Sequence, residues 1–153
     1  MQKYLQFPAF KVVWLSLVFS VAACTEVRLV SNYDEVADKT ITAMQEKFSK
    51  EFVVLQRNAG TDAGSYQKNT AFYDDIYADL NMLSIRANAM DKNEIIKQQI
   101  ELFTANIKNM EALHKIGFRT AEAVEPLKLL LNMDLANISK FLSALKRGQT
   151  PTQ

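Results

Sequence analysis

Glu111-x-x-His114, within "MEALHKIG", is the one place in the chain where a carboxylate and an imidazole stand a helical turn apart. That spacing holds metals in dimetal helical bundles, which also require glutamates from other helices and a second Glu-x-x-His. The chain has a single histidine, so a complete dimetal site is excluded and only a mononuclear one is conceivable. The competing reading is structural. Glu111 pairs with Lys115 at i,i+4, and His114 lies near a helix C-terminus, where its cation is favoured. At 100° per residue from Ile96, His114 falls at the centre of the apolar stripe. It is therefore expected to be a satisfied core histidine, close to the level of Tyr66 and Thr70.

Asp134 is the second polar residue on an apolar stripe, between Leu131 and Ile138. A buried carboxylate without a partner is costly. Tyr77 on the parallel second helix is the expected partner, through a hydroxyl-to-carboxylate bond that fixes helix register. In "FYDDIYADL", Asp75 and Asp79 stand one turn apart on an outward face. Like charges at that spacing weaken a helix slightly. They suit a solvated face, a basic partner or weak calcium binding. No glycine-rich phosphate loop, G-x-S-x-G elbow, haem-attachment motif or Cys/His cluster is present. The expectation is a non-enzymatic protein with no cofactor.

The elements that position these residues are helices throughout. The first is expected from about Asp34 to Gln56, capped by Ser31 or Asn32, with Ala37, Ile41, Met44, Phe48, Phe52 and Leu55 as its stripe. The second should run from Tyr66 to Met90, carrying Tyr73, Ile76, Tyr77, Leu80, Ser84 and Ala87. A third, capped by Asp91, carries Ile96, Ile100, Phe103, Ile107 and Met110 and stops at Gly117. Pro126 suits the first turn of a fourth, with Leu127, Leu131, Ile138, Phe141 and Leu145, ending at Gly148. Thr120 is able to start a short helix ahead of it. Four such helices joined by short loops make an all-α, antiparallel up-down four-helix bundle over residues 33–148, with a frayed tail at 149–153.

Residues 1–23 have the pattern of a signal peptide. Lys3 and Lys11 supply a positive start, and Val12–Ala23 is an apolar run in which Ser16 and Ser20 are the only polar residues. Its 12 residues would span about 18 Å as a helix, short of a hydrocarbon core of about 30 Å. The run ends Val21-Ala22-Ala23-Cys24, which resembles the lipobox of bacterial lipoproteins. The resemblance implies that Cys24, the only cysteine, is acylated and becomes the new N-terminus. Several acyl chains hold a domain at a membrane more firmly than one. Thr25, rather than Asp, follows Cys24; in enteric-type sorting this implies the outer membrane. The tether Thr25–Asn32 reaches at most about 29 Å, keeping the bundle close to the membrane. Without residues 1–23 the chain has 16 basic and 17 acidic residues, a balance that gives no hint of nucleic-acid binding.

"NYDEVADKTITAMQEKF", "YQKNTAFYDDI", "KNEIIKQQIELF" and "ALHKIGF" together resemble a family of small proteobacterial lipoproteins of uncharacterised activity. The resemblance implies a lipobox and a helical domain, and no catalytic residues. The expected role is an envelope lipoprotein with the membrane and an envelope protein as partners. Its loop end and the Asp75/Asp79 face are the candidate contacts. The alternative is a metal- or small-ligand-binding bundle using Glu111 and His114 or its core.

Overall fold

The computed structural model describes residues 30–148. The signal-like segment 1–23, Cys24, the first part of the tether and the 149–153 tail lie outside the described residues. Four helices form, α1 (Glu35–Arg57), α2 (Thr70–Ala89), α3 (Glu94–Ile116) and α4 (Glu125–Gly148). The all-α bundle expected from periodicity is the observed fold. No described helix is long and apolar enough to cross a membrane.

Local chemistry sets the helix ends. Asp34, not Ser31 or Asn32, caps α1. Its side chain accepts from the Val36 and Ala37 backbone N–H groups at 2.9 and 3.1 Å, satisfying donors that a helix start leaves open. The second helix starts at Thr70 rather than Tyr66. Two 3₁₀ turns, Asp62–Gly64 and Tyr66–Lys68, precede it. The Asn69 amide bonds back to the Ala63 and Ser65 carbonyls, competing locally with α-helical pairing. Asn93, not Asp91, is the residue before α3. Lys92 takes φ 58° and reverses the chain there. Gly117, at φ 103°, ends α3 in a conformation open to glycine. Pro126 falls in the first turn of α4, preceded by a short 3₁₀ turn at Ala121–Ala123.

Each helix buries one stripe, and fully burying a large apolar side chain contributes about 1.5–3 kcal/mol. Phe48 anchors the middle, with Phe52, Phe72 and Phe103 rings 5.1–5.8 Å away. Leu83, Leu135 and Leu142 join the core, while Ser84 stays at its margin. Helix α1 packs against α2 and α4, and α3 packs against the same two. The parallel pairs α1/α3 and α2/α4 are therefore diagonal. The tether enters at one end, beside the α2–α3 connection. The 58–69 and 117–124 loops close the other.

Candidate functional site

The densest polar chemistry lies at the loop end. Glu111 projects from α3 towards α2 and accepts from two phenols, Tyr66 at one oxygen and Tyr77 at the other, both at 2.6 Å. Lys115, one turn on, meets the same carboxylate at 2.8 Å and lies 4.9 Å above the Tyr66 ring. The expected i,i+4 pair is thus present. The Lys115 ammonium and the two phenols hold the Glu111 carboxyl down at about 2.

His114 is buried, 1% exposed, as its place on the stripe implies. Its Nε2 lies 2.9 Å from the Gly64 carbonyl, and its Nδ1 lies 2.9 Å from the Tyr73 hydroxyl. A carbonyl only accepts, so Nε2 carries the proton and Nδ1 accepts from Tyr73. The Phe118 ring stacks on the imidazole at 4.9 Å. Burial pushes His114 below the usual imidazole value, against an opposing pull from Gly64. Gly64 allows this arrangement because it has no side chain. A Cβ there would sit 2.2 Å from the Asn58 carbonyl oxygen.

Glu111 and His114 face different partners, and each carboxylate oxygen and ring nitrogen is met by a protein group. Among the described residues no three metal-ligating side chains come together. The Tyr77–Asp134 bond expected from the sequence does not form. Tyr77 sits on α2 and Asp134 on the diagonal helix α4. Tyr77 turns instead to Glu111, and Asp134 accepts from Asn106 of adjacent α3 at 2.7 Å. Asp79 is met by Lys47 of α1 at 2.9 Å, with Asp75 at 3.9 Å from the same amine. The pair is therefore partly neutralised from within, although Asp75 remains exposed.

Glu51 is the residue that reading missed. It lies on α1 seven residues after Met44 and three after Phe48, which puts it on the buried stripe. Its Oε1 is buried with no hydrogen-bond partner. Burial alone raises its carboxyl from 4.5 to about 7. Helical arithmetic was enough to find it.

The tether end is organised differently. Arg86 of α2 grips Asp34 through Nε and Nη2 at 2.7 and 2.8 Å. Burial would raise the Asp34 carboxyl, but Arg86 and the two helix N–H groups more than offset it and hold it low. Ser31 donates to Asn93, and the Asn93 amide donates to the Ala87 carbonyl. These groups roof a narrow apolar cleft between the helices, with about 20 Å³ of free space, room for one water. A shallower groove of about 470 Å³ runs between α2 and α3 past Glu101 and Lys108.

A scan against protein-family models finds no match, and neither do searches of the curated proteins and the solved structures.

Proposed function

We propose that this protein is a lipid-anchored, non-enzymatic interaction module of the bacterial cell envelope, held by Cys24 and facing the periplasm from the outer membrane. The observation that carries the reading is the order of segments. A positive start, a 12-residue apolar run and Val-Ala-Ala-Cys come first, and a folded helix begins at Glu35. Ten residues then separate the acylated cysteine from the bundle. The resemblance to small proteobacterial lipoproteins supports the same reading. An interaction role is supported by exposed apolar side chains along α3 and α4, among them Leu102 and Ile116.

The test is labelling of cells with a palmitate analogue, followed by in-cell crosslinking. Label on the wild-type chain and none on Cys24→Ser supports the anchor. One stoichiometric envelope partner supports the module. An unlabelled, uncleaved chain would sink the anchor.

A second reading, a ligand-binding bundle, draws on Glu51, whose buried Oε1 meets no hydrogen-bond partner and whose charge raises the Tyr73 phenol further after burial has done so. It predicts a bound cation or small molecule in the purified protein, lost in Glu51→Gln.

A further inference from the structure

The charges of α3 are distributed unevenly around its axis. Glu111 bonds to α2 tyrosines, and Lys115 bonds to Glu111. Glu101 and Lys108 line the α2/α3 groove, and Lys97 lies beside Ser84 and Asn88 of α2. Glu94, at 100° per residue, falls near the same half. The opposite flank, towards α4, reads Leu102, Asn106, Asn109, Leu113 and Ile116 at spacings of three and four, without a charge. On α4 the matching flank reads Leu130, Asp134, Asn137 and Phe141. Its one charge, Asp134, is answered by Asn106 across the helix pair. Met133 extends the flank outward. Leu102 is 58% exposed, Met133 55% and Ile116 83%.

We infer that this charge-poor α3/α4 face is the surface through which two copies of the chain pair. It deepens the interaction reading above and rests on it. Two arguments select a second copy. A heterologous partner is commonly steered by complementary charge, and a lipid surface by a rim of several basic residues; this flank carries one answered carboxylate, Asp134, and at its outer edge a single lysine, Lys140, seven residues after Met133. Its exposed amides, Asn109 and Asn137, both donate and accept, so they suit a two-fold interface in which each patch meets itself. The area also fits. Two helices about 34 Å long and roughly 10 Å apart present a face of about 700 Å², near the ~800 Å² per partner of a standard interface.

The test introduces one cysteine at a time into the full chain in cells, at Leu102, Leu113 or Leu130, with Asp74→Cys on the α2 surface as control. A Cys24→Ser background controls for the native thiol. The expected result is a disulfide-linked dimer from at least one flank position and none from Asp74. Adding Met133→Glu to the flank cysteine that gives the dimer, together with Leu102→Glu where that cysteine stands at Leu113 or Leu130, should cut the dimer at least tenfold while circular dichroism keeps the helix content. No dimer from any flank position, an equal dimer from Asp74→Cys, or a dimer indifferent to the glutamates would overturn the inference. So would capture of a different protein or of lipid at this face in place of a second copy. Palmitate labelling reads the anchor separately. Label retained with no self-pairing removes only this inference, and pairing without label removes only the anchor.

Discussion

At the tether end, Asp34 is capped into α1 and clamped by Arg86, and the Ser31–Asn93–Ala87 chain closes beside it. At the loop end, Glu111 and His114 are bonded just as fully, yet Glu51 lies among them with a buried oxygen that nothing meets. Both ends bury carboxylates, but only the tether end answers every one of those described. A satisfied buried network adds order, whereas a half-satisfied one costs stability. The tether end therefore has the character of a lock between the first helix and the rest. The loop end retains two buried polar atoms that no described group meets, Glu51 Oε1 and Ser65 Oγ, and of these only Glu51 carries a charge.

Breaking the lock should have the largest effect. Asp34→Ala removes both the cap and the clamp's acceptor, and is expected to cost about 3 kcal/mol in chemical denaturation. The lowered carboxyl makes this contribution complete above the unfolded value of 3.8 and lost as pH falls through the lower folded value. Next is Gly64→Ala. The added Cβ meets the Asn58 backbone, so the 3₁₀ turn must move off His114, at a cost of about 2 kcal/mol. Thermal melting together with the His114 ring shifts in NMR would read both parts.

Glu51→Gln sharpens the contrast because its sign is opposite. Below pH 4.5 folded and unfolded chains both hold the proton, and the ionisation of Glu51 adds no cost to folding. Between 4.5 and about 7 the unfolded chain ionises first, so stability falls; above 7 the loss is constant. The amide should therefore stabilise by about 1–2 kcal/mol above pH 7 and by nothing below 4.5, checked by melts at the two extremes. A flat difference across pH would show that Glu51 is answered in solution. His114 has the reverse slope. Its folded value is lowered, so stability is lost as pH falls below 6.5, where the unfolded imidazole takes a proton first.

Tyr77→Phe should cost about 1 kcal/mol at pH 7. The cost should fade as pH drops from 4.5 towards 2, where Glu111 becomes neutral. The smallest effect is expected from Asp75→Lys. The side chain is exposed and Lys47 keeps its closer partner Asp79, so the change in stability should stay within about 0.5 kcal/mol. A larger loss would mean that Lys47 depends on both aspartates.

The sequence by itself determined the four helices, most of their buried stripes, the glycine stop of α3, the burial of His114 and the Glu111–Lys115 pair. All of these follow from periodicity or from contacts within one turn, where the backbone fixes who meets whom. Only the tertiary structure decided the partners across helices. Levels along the bundle axis were readable and placed Tyr77 and Asp134 close in height. The up-down order already makes the parallel helices α2 and α4 a diagonal pair, out of reach of a direct bond, and the packing of both against α3 sent Tyr77 to Glu111 and Asp134 to Asn106. The same holds for the Arg86 clamp and for the Gly64 carbonyl that fixes the His114 proton. A hydrogen bond needs its atoms within about 3 Å, and distance on that scale is set by the packing of whole helices and loops rather than by spacing along any one of them.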